Sequence, residues 1–492
     1  MRTLALADAL RTRGASVCFI CRQRDGDLGA VIAMRGFQLV RLPPRDDSTA
    51  AGDPDAVLLG AAWSDDADET RDAIGELGWR PTWLVVDHYG IDRRWESALR
   101  PVVERTMVID DLANRGHDCD LLLDQNLVAD QDERYVGRVP TKCTTLLGPQ
   151  FALLQSVYAD LHSRIPPRAG AIRRVLLYFG GEDRKCLTRR ALEATLRACP
   201  ADVALDVVLT SNRNIETHSV TDGTRVTFHH DVPSLATLIS RADLSLGAAG
   251  TTSWERLCLG LPAVVITRAQ NQRAIAAELH RRRLAIWLGD EEEVDGDKIE
   301  EALRGLIESG LDRTWSERCL DVVDGAGARR VCDAMLLGAD DLLCARHARP
   351  CDEGLLLSWA NDPGTRRNGF SPDRIHAETH QRWFAERLRN VDGCQLYVIE
   401  TQHGTPVGQV RFERAGTEWE THYALGPAFR GRGLGQRLLS TALAQLRREV
   451  GPTTVFGHVR RSNTPSMCIF EALGFAAQAV EGSDVITFRG QC

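Results

Sequence analysis

The chain of 492 residues is too long for one hydrophobic core, so two or three domains are expected. Its 43% hydrophobic and 26% charged residues suit an ordinary globular protein, and a net charge of -8 gives no reason to expect nucleic acid or an anionic membrane as partner. No apolar run approaches the roughly 20 residues of a membrane helix, and the opening MRTLALADALRTRG lacks a signal peptide's apolar core, so a cytoplasmic location is expected.

The first 14 residues read as a helix, with Leu4, Leu6, Ala7 and Leu10 at helical spacing and Gly14 as the stop. Strands are predicted at 16–21, 37–42, 83–87, 106–109 and 121–123, alternating with helices in the rhythm of a covered parallel sheet. Of the 14 scattered cysteines, Cys18 and Cys21 form the one C-x-x-C, on a predicted strand that turns them to opposite faces, so no metal is expected. After the Pro-rich joint SRIPPRAG the rhythm restarts, with strands predicted at 173–178, 204–210, 225–229, 244–246 and 263–267. Beyond LLGADD the strands lengthen at 396–400, 408–413 and 421–425, and a long helix runs from 434 to about 449. The expected domains are therefore 1–162, 163–338 and 339–492.

Polar residues cluster where predicted strands end, the usual place for function in α/β proteins. Asp87-His88-Tyr89-Gly90 follows WLVV, Asp110-Asp111 follows MVI, and Gly180-Gly181-Glu182-Asp183 follows VLLYF. The stretch LSLGAAGTTSWERLCLGLPAVVITRAQNQ (244–272) reads as strand, small-residue turn, helix, strand and polar loop, a cradle for a phosphate at a helix start. Thr252-x-x-Glu255 within it also reads as a capping box. His88, His229 and His230 lack a catalytic partner in sequence and read as structural.

These pieces, with VVDHYGID, DLANRGHDCDLLLDQN, LLGPQFALL and LLYFGGEDRKCLT, resemble the UDP-sugar hydrolases of bacterial pseudaminic-acid biosynthesis. The resemblance implies two Rossmann-like lobes of the glycosyltransferase-B type and removal of UDP from UDP-2,4-diacetamido-2,4,6-trideoxy-β-L-altropyranose. It implies that Gly180, Gly181, Ala249, Gly250, Thr251, Thr252 and Ser253 line the UDP site with Gln272, and that Glu255 takes the ribose hydroxyls. Tyr89 and Asn271 would face the sugar, Tyr89 positioning the attacking water. The family opens with a strand and a G-x-G-H-x-x-R loop whose His activates water, and Met1-Arg2 falls at the last two positions of that motif. The expectation is an unfilled slot in the first sheet, from a start placed at an internal Met in preference to an impaired hydrolase.

In the last third, Leu425 precedes Arg430, Gly431, Arg432, Gly433, Leu434 and Gly435, an R-x-x-G-x-G loop whose small residues let N–H groups converge on a pyrophosphate. Asn463, Ser466, Phe470 and Gly474-Phe475 follow at helix spacing and then a turn. Together they resemble the GNAT acetyltransferases, which implies an α+β domain that holds acetyl-CoA on those residues. Trp359 to Arg367 and His380 to Phe384 resemble the branch that acetylates the 4-amino group of UDP-linked 6-deoxy-amino-sugars. Phe470 stands where many GNAT enzymes carry a proton-donating Tyr, which Phe cannot replace. Glu420 and His422, two apart on one strand face, are the candidate bases, or a solvated strand face. No metal, nucleic acid or membrane is expected as a partner.

Overall fold

The computed structural model describes residues 1–24, 26–44, 58–131, 133–180, 187–209, 225–230, 232–338, 341–479 and 483–492. The chain divides into two compact units, Met1–Val331 and Cys332–Cys492.

The first unit is built of parallel strands covered by helices. Its C-terminal half holds β7 (Arg174–Tyr178), β8 (Ala204–Leu209), β9 (Val226–His230), β10 (Leu244–Ala248), β11 (Ala263–Thr267) and β12 (Ile286–Asp290), in the order β12-β11-β10-β7-β8-β9. The central strands are apolar throughout because both faces are covered; every residue of β11 is buried. The order reverses between β7 and β10, which creates the crevice that such sheets offer to ligands.

The N-terminal half holds β1 (Cys18–Arg22) and β2 (Gln38–Leu42) as one sheet. A second sheet has β3 (Trp83–Val86), β4 (Arg105–Ile109), β5 (Leu121–Asp124) and β6 (Thr144–Leu147), in sequence order. In the other half β7 joins β8-β9 to β10-β11-β12. Here the two flanks β2-β1 and β3-β4-β5-β6 have the same arrangement, and among the described residues no strand joins them. Among the described residues the outer edges of β1 and β3 have no strand partner.

Strands β6 and β12 escaped the sequence reading. Both are edge strands, half-exposed along most of their length, and so lack the continuous apolar signature of a central strand. One expectation is corrected: Asn271 and Gln272 do not lie in a loop. They sit in the first turn of the helix Gln270–Arg281, which is anchored by buried Ile275, Ala276 and Leu279.

The second unit is a seven-stranded sheet in the order β13-β14-β15-β16-β17-β19-β18. Its strands are β13 (Leu343–His347), β14 (Cys394–Thr401), β15 (Pro406–Ala415), β16 (Glu418–Leu425), β17 (Thr454–Arg460), β18 (Ala476–Ala479) and β19 (Val485–Gln491). All neighbours are antiparallel except β16 and β17. Strand alternation separates two cores. Tyr397, Ile399, Val410 and Phe412 join Leu438, Leu439 and Ala442 of the helix Leu434–Val450, while Leu396 and Val398 join Leu356, Trp359 and Phe384.

Candidate functional site

In the first unit, Gly180 follows β7 in the left-handed region at φ 89°, a conformation that favours glycine. Gly181 lies outside the described residues. Beside it, Gly247 lets β10 approach β7 closely, since a Cβ there would fall 2.3 Å from the Tyr178 carbonyl oxygen. Ala249 is buried, Gly250 half-buried and Thr251 exposed, and the helix Thr252–Cys258 starts without a side-chain cap. The capping box is therefore not formed. Glu255 instead accepts a 2.8 Å hydrogen bond from the Tyr158 hydroxyl. Burial pushes its carboxyl up to about 7, against the pull of Tyr158 and Arg256.

Two side chains that sequence reasoning passed over hold this turn. Arg256 donates to the Ala248 carbonyl (2.7 Å) and to Ser253 Oγ (2.9 Å), and Arg268 Nη1 donates to the Phe179 carbonyl (2.7 Å). Gln272 Oε1 accepts from the Arg268 N–H (3.0 Å), and its Nε2 lies against Gly250. Asn271 is exposed.

The strand-end acids of the N-terminal half converge as well. Arg2 donates to Asp87 (2.7 Å) and Asp111 (2.8 Å), and Asp111 also accepts from the Tyr89 hydroxyl (3.1 Å). Burial and Asp111 raise the Tyr89 phenol well above its ordinary range, so it is a hydrogen-bond donor and not a base. Asp110 turns inward to the Ala113 N–H and Tyr135. His88 accepts from the Gly90 N–H and His229 pairs with Asp206 (2.8 Å), both structural uses.

In the second unit, β16 and β17 pair only at Trp419–Val455 and Glu420–Phe456. Beyond Glu420 the β17-facing edge of β16 has no strand partner, and the two strands splay. The loop at the open end carries Gly431 (φ 71°) and Gly433 (φ 76°), the latter the N-cap of the buried helix start at Leu434. Gly435 serves packing: a Cβ there would meet Ile469 Cδ1 at 2.4 Å. The Arg430 guanidinium is engaged by Asp362, by Thr365 Oγ1 (2.7 Å) and by the Leu425 carbonyl (3.3 Å). Arg432 flanks the two left-handed glycines. Asn463 caps the helix Thr464–Ala472 through the Ser466 N–H. Phe470 is a core residue, 1% exposed and stacked on Phe488, so it presents no surface to a cofactor.

Glu420 and His422 share a face, 3.3 Å apart, as strand alternation requires. The hairpin register adds three residues that the sequence did not single out. Glu413 stands opposite Glu420 and Arg411 opposite His422, and Arg387 donates to Glu413 (2.8 Å). Burial, helped by Arg411, lowers the His422 pKa to about 4, which keeps the imidazole neutral and able to accept a proton. Among the described residues no group of three or more His, Cys, Asp or Glu could hold a metal ion, and no helix is long and apolar enough to cross a membrane.

Residues 343–476 match the family model of the acetyltransferase (GNAT) domain. Uncharacterized protein MJ1062 of Methanocaldococcus jannaschii is 21% identical over 495 residues, 96% of this chain and 93% of that protein. Among solved structures, a domain from Methanocaldococcus jannaschii is 18% identical over 31% of this chain and all of its own, with a TM-score of 0.28. A spermidine N-acetyltransferase from Vibrio cholerae, in complex with CoA and spermine, is 16% identical over 30% of this chain and 94% of its own (TM-score 0.27). The putative acetyltransferase yncA from Salmonella typhimurium, with its cofactor acetyl-CoA, is 20% identical over 31% of this chain and 93% of its own (TM-score 0.26). Within the second unit, residues 343–476 thus form an acetyltransferase (GNAT) domain.

Proposed function

We propose that the chain is a bifunctional nucleotide-sugar enzyme. Its GNAT domain (339–492) acetylates the 4-amino group of a UDP-linked 6-deoxy-amino-sugar. The lobes 1–162 and 163–338 then hydrolyse the product, UDP-2,4-diacetamido-2,4,6-trideoxy-β-L-altropyranose, to free sugar and UDP. The observation that carries this reading is the coexistence in one chain of two clefts. One is a strand splay beside a glycine nest and a carboxylate-bearing face; the other is a Rossmann-order crevice with Gly180, the 249–253 turn and Glu255 at its mouth.

In acetyl transfer, Glu420 with neutral His422 takes the proton of the amine, whose nitrogen then attacks the thioester carbonyl as the C–S bond breaks. In the other cleft, N–H groups of Gly180 and residues 249–253 meet the pyrophosphate and Glu255 accepts from the ribose. Gln272 buttresses Gly250. Tyr89 and Asn271 face the sugar, with Tyr89 orienting the water. Fusion keeps the acetylated intermediate at high local concentration near the second site.

Incubation with acetyl-CoA and the UDP-4-amino-sugar tests both halves. Release of CoA thiol together with UDP supports the full reading. Thiol release without UDP leaves a UDP-sugar-binding module with only the acetyltransferase active, and UDP release that requires an added acceptor indicates a glycosyltransferase.

A further inference from the structure

Acetyl transfer from a thioester releases a thiolate, and the reaction is completed when that sulfur gains a proton. Phe470, buried and without a donor, cannot supply it. The splayed strand carries another candidate. Successive residues of β16 point to opposite faces, so Tyr423 projects away from the Glu420–His422 face and onto the helix-covered side. Its ring packs edge-on against Phe470, with centroids 6.0 Å apart. Its hydroxyl is buried and has no hydrogen-bond partner. The Ser466 hydroxyl is near enough to pull on the phenol's titration without completing a bond. Tyr423 lies three residues beyond the last β16–β17 pair, inside the splay.

An unpaired buried hydroxyl is a rarity that calls for a missing partner. Here the missing partner is an atom that enters between the strands. An acyl group held in the plane of the splay would have the acid–imidazole face on one side and the phenol on the other. We propose that Tyr423 donates the proton to the departing thiolate, an assignment that rests on the acetyltransferase reading above. The N–C bond forms as the C–S bond breaks. The amine's proton passes to the Glu420–His422 side, the Tyr423 proton passes to sulfur, and the phenolate is reprotonated from solvent. Burial pushes the phenol up to about 12, so Tyr423 is protonated at working pH.

The test compares the full-length protein with its Tyr423→Phe variant, using acetyl-CoA, CoA and the amine. Tyr423→Phe is expected to lower kcat by about 10²-fold or more, with KM for acetyl-CoA unchanged. A second readout needs no turnover. The thiol of bound CoA, titrated by thiolate absorbance, deprotonates at higher pH in Tyr423→Phe than in wild type, because the donor to the thiolate is gone. Unchanged turnover and unchanged thiol titration in Tyr423→Phe overturn the assignment, as does a loss confined to KM. A wild-type protein that binds no CoA overturns the acetyltransferase reading itself.

Discussion

The Tyr158 hydroxyl donates to Glu255 at 2.8 Å and so ties the helix Ser156–His162 to the helix that follows the small-residue turn. Burial raises the Glu255 carboxyl, and this bond pulls it back part of the way.

Glu255 has a folded-state pKa of about 7 against an ordinary value near 4.5. Because the folded value is raised, its contribution is fully favourable below about pH 4.5 and is lost as pH rises through 7. Glu255→Gln should therefore be more stable than wild type at pH 8, by about 1–3 kcal/mol, with the difference vanishing near pH 4; unfolding midpoints across that range measure it. If the carboxylate takes the ribose hydroxyls, UDP affinity falls as pH drops below 7 and becomes pH-independent in Glu255→Gln. Calorimetric titration of UDP at pH 6 and 8 gives the sign.

Gly247→Ala places a Cβ 2.3 Å from the Tyr178 backbone oxygen, and backbone cannot swing aside as a side-chain tip can. The substitution should force β10 from β7 at the point where the sheet order reverses. A loss of roughly 2 kcal/mol or more is expected, with weakened UDP binding and unaltered acetyl transfer.

Arg168 is buried without a carboxylate partner among the described residues, and its guanidinium donates to the carbonyls of Ala242, Leu259 and Ile239. Those carbonyls lie at the C-terminal ends of two helices, where a cation satisfies both orphan acceptors and the helix dipole. It fixes the Pro-rich joint onto the second lobe. Arg168→Ala should cost about 3–5 kcal/mol by analogy with other buried charge networks, and Arg168→Lys should rescue little, since one ammonium cannot span the fork. Thermal unfolding of the two variants separates these outcomes.

The unpaired edges of β1 and β3 should appear in hydrogen exchange. In a parallel strand, alternate N–H groups face opposite neighbours, so a strand paired on one side protects every second amide. Residue-resolved exchange over Trp83–Val86 should show that alternation, in contrast to β10, which is paired on both sides. Uniform protection of β3 would mean that another strand covers the edge.

Much of this architecture was legible in the sequence, because central parallel strands are apolar runs ended by function-bearing residues. The predicted positions of β7, β10 and β11 agree with the structure to within two residues at each boundary. What escaped reading depended on three-dimensional pairing. β6, β12, β13 and β18 are edge strands with half-exposed or exposed, weakly patterned sequences, and the interior strands β17 and β19 of the second sheet were not read either. Glu413 and Arg411 acquire meaning only through the β15–β16 register, which sets them beside Glu420 and His422. Asn271 read as loop because no capping residue marks the start of its helix at Gln270. Tyr423 was invisible because one strand position tells nothing of a hydroxyl left without a partner.

His422, held neutral with a pKa near 4, should leave no limb around pH 6.5 in the acetyl-transfer profile. The pH dependence of kcat/KM should follow the ionisation of the substrate amine, and Glu420→Gln should lower kcat by about 10²-fold.

The most direct measurement is mass analysis of the nucleotide sugar after incubation of the full-length protein with acetyl-CoA and the UDP-4-amino-6-deoxy-sugar. The account predicts one acetyl group gained on the 4-amino nitrogen in step with CoA release, followed by free UDP and diacetamido sugar. A UDP-amino-sugar recovered unacetylated, with acetyl-CoA intact, would contradict it.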